Sequence, residues 1–295
     1  MARSLAEIIM FENRKIKKVQ LVATLLIILS LAAVLIIKNT SNKALTNTSS
    51  CDISCKDKIL DDILNDDINT SNIMTSKEIL IGKIDFSNET LVLIPLQYAN
   101  RESIYMNKEA FEAFLEMYNA AAEVGVSLKI LSGFRSFEHQ KTIWENKWNG
   151  RVKLTGNISA TDISNKQKRA LEILKFSAMP GTSRHHWGTD IDLNSLNNSY
   201  FESGEGRKVY DWLLQNAGIY GFCRPYNVKG KDRLAGYEEE KWHWSYMPVA
   251  KKYLSDYIEI ITYEDIKGFD GHETAETVQV IEKYVMSINP ECKYK

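Results

Sequence analysis

Two short segments, far apart in the chain, constrain the fold most strongly, because the chemistry they suggest requires them to meet. Residues 183–192 read SRHHWGTDID, and residues 240–243 read EKWH. Histidine and carboxylate side chains are protein ligands of catalytic zinc, which takes three of them and leaves a fourth position for water. The additional glutamate could accept a proton from that water as a general base. The sequence therefore predicts a catalytic zinc site and a fold that joins the two segments.

The residues alone leave the identity of each ligand open. His185 and His186 are adjacent, and a single histidine is more often structural than metal-binding. A buried Asp192 would need a salt bridge, hydrogen bonds or a metal ion. His243 lies between two tryptophans, a setting that is also typical of a histidine packed in an aromatic core.

The position of Glu240 relative to His243 restricts the local backbone conformation. It belongs to an acidic run and precedes His243 by three residues, a spacing that puts the two side chains on opposite faces of a straight strand. A shared site therefore requires Glu240 to lie in the turn or bulge that enters the strand.

The N-terminal segment has the composition of a membrane anchor followed by a tether. Residues 1–18 form a polar head that ends in clustered cations, and residues 19–37 are almost continuously apolar. Their length is close to the roughly 20 residues that a helix needs to span a bilayer. A cleaved signal peptide is the main alternative, but the apolar run is long for one and no small-residue cleavage motif follows. We expect a retained single-pass anchor with a cytoplasmic head and a flexible tether over residues 38–76.

Charge and cysteine content narrow the functional classes. The chain has 295 residues and a net charge of -1, so it carries no basic footprint for nucleic acid. It also contains no glycine-rich phosphate loop of the common types. The cysteines favour disulfides in an oxidising compartment over free thiols, and the sequence does not supply their pairing. They are Cys51, Cys55, Cys223 and Cys292.

Hydrophobic periodicity predicts short strands mixed irregularly with helices, which indicates an α+β fold rather than a doubly wound parallel sheet. We expect a small, mostly antiparallel sheet with flanking helices over residues 77–262 and a helical tail over residues 263–295. The predicted strands cover residues 91–96, 126–131, 190–193 and 240–246. The predicted helices of the domain cover residues 107–124, 137–148, 165–176, a segment through 209–214 that ends at Gly218, and 248–257. One more helix is predicted in the tail, where Val278, Ile281, Val285 and Ile288 share one helical face.

Three motifs occur in an order that fits a known family. They are the turn SGFRS at residues 132–136 with Gln140, then Ser183-x-His185-x-x-Gly188-x-x-x-Asp192, then Glu240-x-Trp242-His243. Together they resemble the VanY-type D-alanyl-D-alanine carboxypeptidases of the LAS group of zinc peptidases. The resemblance covers residues 90–255, and the linked motifs are far more specific than any one of them.

The resemblance implies a role for each residue of the motifs. His185, Asp192 and His243 would be the ligands of a Zn2+ ion. Glu240 would be the general base. Arg135 would bind the substrate and stabilise the tetrahedral intermediate, and so take part in catalysis.

The resemblance also selects His185 over His186, and it implies that Ser183 and Gln140 contact the substrate near its terminal residue. The family removes a C-terminal D-alanine from peptidoglycan stem peptides, which are therefore the expected partners.

A membrane anchor, a tether and disulfides suit a bacterial enzyme whose catalytic domain faces the cell wall. An L,D-carboxypeptidase or a peptidoglycan endopeptidase of the same group is the alternative. A non-catalytic wall-binding module is less favoured, because it has no need of Glu240.

The chain departs from the family pattern near the proposed ligands. Asp190 stands where the family usually has alanine, and Arg184 stands where glutamate is common. On a strand, Asp190 and Asp192 face the same side, so the extra carboxylate could lie near the zinc, bind a second cation or pair with Arg184. Lys241 replaces a frequent proline. These departures concern substrate preference more than activity.

Overall fold

The computed structural model describes residues 75–294. The predicted head and anchor, and the tether up to residue 74, lie outside these residues. Among the described residues, no helix is long and apolar enough to cross a membrane.

The strands form two small antiparallel sheets, as expected for the α+β class. A two-stranded sheet pairs β1 with β2, and a four-stranded sheet has the order β3-β4-β6-β5 with antiparallel neighbours throughout. The strands are β1 Leu91–Leu93, β2 Tyr105–Asn107, β3 Ile130–Ser132, β4 Asp190–Leu193, β5 Phe222–Cys223 and β6 His243–Tyr246. The helices are α1 Lys77–Leu80, α2 Lys108–Glu123, α3 Phe137–Trp148, α4 Lys166–Ile173, α5 Gly204–Asn216, α6 Met247–Ile260 and α7 Pro290–Tyr294.

The helix starts follow from side chains that cap free backbone N–H groups. The Asn107 side chain accepts a hydrogen bond from the backbone N–H of Ala110 at the start of α2. Ser136 caps α3 and Asn165 caps α4 in the same way. Because Ser, Asn and Asp satisfy donors that the first helical turn leaves unpaired, the predicted starts of these helices are confirmed.

The central strands β4 and β6 divide the four-stranded sheet into an apolar face and a polar face. Ile191 and Trp244 belong to a core that also holds Phe114 of α2 and Leu213 of α5. The alternate residues of the same strands point the other way, since successive side chains of a strand face opposite sides. All of these alternate residues are buried; they are Asp190, Asp192, His243 and Ser245.

A second core lies around α3, α4 and α6, and the C-terminal residues complete it. Val278, Ile281, Val285 and Ile288 are buried together with Trp144 and Tyr257 in one cluster. Their predicted burial is confirmed, but the predicted regular helix is wrong. The segment forms a π-helical turn over Ile281–Val285. Before it, Gln279 has φ of 55°, a left-handed conformation that interrupts a continuous α-helix through this position.

One disulfide closes the C-terminal part of the domain. Cys223 of β5 is bonded to Cys292 of α7 across 69 residues of sequence. This bond confirms the expected oxidised state for these two cysteines, and such bonds persist in oxidising compartments. Cys51 and Cys55 lie outside the described residues.

Removing the disulfide should lower the free energy of unfolding. Replacing Cys223 and Cys292 together by alanine should cost about 2–4 kcal/mol, because the bond restricts the unfolded chain over a long loop. Urea unfolding followed by tryptophan fluorescence measures the difference, and the native chain under reducing conditions should match the double variant. Equal stability of the oxidised chain and the double variant would contradict the expected contribution.

Candidate active site

The polar face of the sheet places two candidate metal ligands side by side. Asp192 of β4 and His243 of β6 are direct cross-strand partners. His185 joins them from a 3-10 turn, Arg184–Trp187, that ends at Gly188 with φ of 69°. A side chain at Gly188 would also approach the backbone nitrogen of Asn107 to 2.8 Å, so this close turn requires glycine.

The three residues His185, Asp192 and His243 can converge on one ion. Each offers one ligand atom, and these atoms all lie within 4.8 Å of one another. Asp192 Oδ1 lies 3.4 Å from His185 Nε2 and 3.3 Å from His243 Nδ1. All three residues are buried.

Asp192 Oδ1 supplies the observation that a metal would explain. This atom is buried and accepts no hydrogen bond from any described residue. A buried carboxylate oxygen without a partner costs free energy, and a cation between the two imidazoles would remove that cost. Two histidines and one carboxylate are a donor set of catalytic zinc. The residues present therefore fit the predicted Zn2+ ion.

Hydrogen bonds from the far ring nitrogens set the orientation of both histidines. His185 Nδ1 lies 2.8 Å from the carbonyl oxygen of Gly133, and His243 Nε2 lies 2.8 Å from Asp190 Oδ2. A nitrogen that donates to an oxygen carries the proton, which leaves the other nitrogen free to bind a metal. His185 Nε2, which also lies 3.2 Å from Arg135 Nη2, and His243 Nδ1 are therefore the candidate ligand atoms.

Asp190 forms a buried ion pair directly behind His243. Its Oδ2 also accepts from Arg184 Nε at 2.9 Å, and both side chains are fully buried. Its Oδ1 accepts from Ser245 Oγ at 2.7 Å and from Thr189 Oγ1 at 2.9 Å. Burial acts to raise the pKa of Asp190, but Arg184 and His243 outweigh it and hold the pKa below its usual value. Of the roles considered for Asp190, the structure shows the pairing with Arg184, one hydrogen bond away from a zinc ligand.

Glu240 meets the geometric demand made by its spacing. It precedes β6, and the backbone N–H of His243 points to its carbonyl oxygen at 3.4 Å, as in a turn. Its Oε2 lies 3.2 Å from His243 Nδ1. Burial raises the pKa of the Glu240 carboxyl group, and the neighbouring His243 offsets part of this effect. The carboxylate is therefore beside the metal position without being one of the three ligands.

Arg135 extends along the other side of the ligand set. Its Nη2 donates to Asp192 Oδ2 at 2.6 Å, and its Nε donates to Ser132 Oγ at 3.0 Å. Gln140 is fully buried behind it, with Oε1 3.5 Å from Arg135 Nη1 and Nε2 donating to the Ala178 carbonyl at 2.8 Å. Gln140 does not line the cleft, so its position favours support of Arg135 over direct contact with substrate.

His186, the neighbour of the ligand His185, has both ring nitrogens occupied. Its Nε2 accepts from the backbone N–H of Gly181 at 3.0 Å, and its Nδ1 lies 2.6 Å from the Arg135 carbonyl oxygen. Burial lowers the pKa of His186 to about 3, so it is neutral. It braces the backbone that carries Arg135, a role that two adjacent histidines in a sequence do not reveal.

The site opens into a cleft of about 790 Å3. The predicted ligands, Glu240, Arg135 and Ser183 all line it. Other lining residues were not predicted from sequence; they include His139, Lys147, Ser177, Tyr226 and Tyr237. The Tyr226 ring centroid lies 4.7 Å from that of His243, so an aromatic wall adjoins the metal position.

Known proteins resemble this chain in sequence. A sequence profile of the VanY family, described as D-alanyl-D-alanine carboxypeptidase, matches residues 103–249. The putative carboxypeptidase YodJ of Bacillus subtilis is 30% identical over 232 residues, which are 73% of this chain and 76% of that protein. The chain belongs to the VanY family. It is a metallo-carboxypeptidase with His185, Asp192 and His243 as its candidate zinc site.

Other members and solved structures are similar over shorter or more distant matches. A D-alanyl-D-alanine carboxypeptidase of Enterococcus faecalis is 30% identical over 161 residues, and this VanY-family chain spans about half of its length, 55%. The structure of the LdcB LD-carboxypeptidase is 25% identical with a TM-score of 0.43, covering 66% of this chain and 80% of that one. A mutant of the vancomycin resistance D,D-pentapeptidase VanY, in complex with Zn(II), is 24% identical with a TM-score of 0.40, covering 62% of this chain and 93% of that one.

The VanY-family site should lose metal affinity when Asp190 is replaced. Asp190→Ala removes the acceptor that orients His243, so zinc affinity should fall by about 10–100-fold. It also leaves Arg184 buried without its partner, which should destabilise the domain by about 3–5 kcal/mol. Chelator competition measures the first effect and urea unfolding the second.

The double variant with Arg184→Met separates these two effects. It removes the buried cation together with the carboxylate, so much of the stability should return while zinc affinity stays low. Native zinc affinity in the double variant would show that His243 does not depend on Asp190 for its orientation.

The brace formed by His186 should depend on Gly82. Gly82 has φ of +75°, and a Cβ there would lie 2.2 Å from His186 Nδ1. Gly125 has the same φ with no atom within 4 Å of such a Cβ, and is a matched control. Gly125→Ala should cost only the left-handed strain of about 1–2 kcal/mol. Gly82→Ala should cost more and reduce peptidase activity, since it displaces the ring that holds Arg135. Equal unfolding free energies and equal activities of the two variants would contradict this role.

Proposed function

We propose that this chain is a zinc-dependent D-alanyl-D-alanine carboxypeptidase that removes the C-terminal D-alanine from peptidoglycan stem peptides. The observation that carries the proposal is Asp192 Oδ1, a buried and unpartnered oxygen between two correctly oriented imidazoles. The Glu240 carboxylate adjoins the same position, with Oε2 3.2 Å from His243 Nδ1. The description of the family and the activity named for the Enterococcus faecalis relative support the choice of substrate.

In this proposal, the chain's own groups orient the substrate and move the proton. His185, Asp192 and His243 would hold Zn2+, which when bound lowers the pKa of water and polarises a carbonyl group. Glu240 accepts a proton from the attacking water and returns it to the leaving D-alanine nitrogen. Its burial suits this exchange, because a raised pKa brings a carboxylate closer to the pKa that proton transfer at neutral pH requires.

Arg135 is the donor best placed for the charge that develops on the scissile carbonyl oxygen. Its guanidinium adjoins Asp192 and His185 and lines the cleft, and a fixed cation at developing negative charge lowers the barrier. Ser183 lines the cleft beside the ligand His185 and is the second candidate for substrate binding. Gln140 acts behind Arg135, fixing the guanidinium through its amide oxygen.

The proposed location is the outer face of a bacterial cell membrane. Residues 1–18 would be the cytoplasmic head, 19–37 the single-pass anchor and 38–76 the tether, so that the catalytic domain over residues 77–262 and the tail over 263–295 reach the wall. The apolar composition of the anchor segment supports the membrane span. The disulfide between Cys223 and Cys292 supports an extracytoplasmic domain.

Release of D-alanine from defined peptides tests the reaction. The full-length chain, kept in mild detergent with its zinc content measured, is incubated with a stem pentapeptide ending in D-Ala-D-Ala and separately with the tetrapeptide. The proposal expects release from the pentapeptide that a chelator abolishes and added zinc restores. Release from the tetrapeptide alone would replace it by an L,D-carboxypeptidase. No release from either peptide by the zinc-loaded chain would overturn the carboxypeptidase assignment.

Two substitutions should separate proton transfer from metal binding. Glu240→Ala should keep the zinc and the fold but lower kcat by about 10²–10⁴, because it removes only the general base. His243→Ala should instead lose the metal, because it removes one of three ligands. Zinc content and kcat are measured for both variants. Near-native turnover by Glu240→Ala would remove Glu240 from the mechanism.

A further inference from the structure

Lys147 brings a positive charge into the cleft that the proposed mechanism does not use. It lies in the last turn of α3 and lines the same cleft as Arg135 and Glu240. Its side chain is half-buried, and its Nζ donates to Ser177 Oγ at 2.5 Å. Ser177 is itself buried and also lines the cleft.

The charge of Lys147 lacks an anionic partner among residues 75–294. No carboxylate oxygen of these residues forms a salt bridge with its Nζ. Arg101 and Lys153 also line the cleft without an ion pair to any described residue, but they are exposed to solvent, whereas Lys147 is half-buried. Burial lowers the pKa of the Lys147 ammonium group, and the charge of Glu240 offsets part of this effect. A partly desolvated cation without a direct ion-pair partner is unfavourable, so an anion bound at this point would be stabilised.

The Ser177 hydroxyl adds a second donor at the same place. Its oxygen accepts from Lys147, so its own proton is free to point to a ligand, because a hydroxyl both accepts and donates. An ammonium and a hydroxyl side by side match one carboxylate group, and hydrogen bonds between charged groups are the strong ones.

The segment that contains Ser177 is connected to Arg135 through Gln140. Ser177 precedes Ala178, whose carbonyl accepts from Gln140 at 2.8 Å, and Gln140 Oε1 lies 3.5 Å from Arg135 Nη1. This series of contacts links Ser177, the partner of Lys147, to the Arg135 guanidinium. Arg135 then serves the reacting carbonyl group, and Lys147 is available for a different group of the same substrate.

We propose that Lys147 and Ser177 bind a carboxylate of the peptide substrate, an inference that rests on the proposed peptidase function. The carboxylate has two possible sources in a stem peptide. It is either the C-terminal carboxylate of the residue that is released, or a free carboxylate on a residue upstream of the cleaved bond. Both carboxylates present the same chemistry to Lys147 and Ser177, and binding of defined peptides distinguishes the two sources.

Binding rather than turnover is the primary measurement. The zinc-loaded, full-length Glu240→Ala chain binds peptides without cleaving them quickly, so calorimetry gives Kd directly. In this background, Lys147→Met should weaken binding by about 10-fold or more, the range for a lost hydrogen bond to a charged group. Lys141→Met is the matched control, since Lys141 is on the same helix but does not line the cleft, and should bind like its parent.

Three peptides identify the source of the carboxylate. The first is a diacetylated L-Lys-D-Ala-D-Ala, whose only carboxylate is terminal. The second adds a glutamate with a free carboxylate upstream, and the third carries that group as an amide. Equal weakening on all three peptides assigns the terminal carboxylate to Lys147. Weakening on the second peptide alone assigns the upstream one. Unchanged Kd for all three peptides would overturn the proposal.

The design keeps this proposal separate from the proposed function. If the native chain released no D-alanine but Lys147→Met still weakened peptide binding, the carboxylate site would be supported and the proposed peptidase function would be wrong. Native D-alanine release together with unchanged binding by Lys147→Met would support the proposed reaction and overturn the carboxylate site. Zinc content and Tm check the fold of each variant. Ser177→Ala is a second test that keeps the lysine, and it should weaken binding of the same peptides to a smaller extent.

Discussion

The antiparallel pairing of β4 with β6 is the constraint on which the site depends. This register sets Asp192 opposite His243 and Asp190 opposite Ser245, and it gives both strands a buried polar face behind which Ile191 and Trp244 fill the core. A slip of one residue would turn every one of these side chains to the other face. The apolar core therefore fixes the positions of the polar groups, and the metal ligands are held by the same pairing that stabilises the fold.

Charge compensation explains how so many ionisable groups are buried in one place. Asp190 is matched by Arg184, and Asp192 is matched by Arg135 on one oxygen, while its other oxygen faces the metal position between the two imidazoles. The Asp190 carboxylate is accommodated because the buried Arg184 guanidinium pairs with it. These two departures from the family pattern therefore act as a pair, and they concern the support of His243 more directly than the preference for substrate.

The sequence predicted those parts of the structure that depend on local chemistry. The predicted starts of three helices coincide with the capping residues Asn107, Ser136 and Asn165 that the structure shows, and the spacing of Glu240 required the turn that is observed. Contacts between distant segments were not predictable in the same way. The brace of His186 depends on Gly82 and Arg135, which no periodic pattern connects to it, and the partner of Lys147 is a serine thirty residues away. In the tail, the positive φ of Gln279 overrides a helical pattern that the apolar residues alone support.

The disulfide affects what happens to the domain after proteolytic cleavage. Cys223 and Cys292 close a covalent ring that contains Glu240 and His243, while His185 and Asp192 lie on the chain before it. The same ring includes an exposed loop in which the side chain of Leu234 is 84% accessible. Exposed loop tips are preferred sites of proteolytic nicking. A single cut at Leu234 would leave both fragments joined through the disulfide, so that the two halves of the zinc site could not diffuse apart.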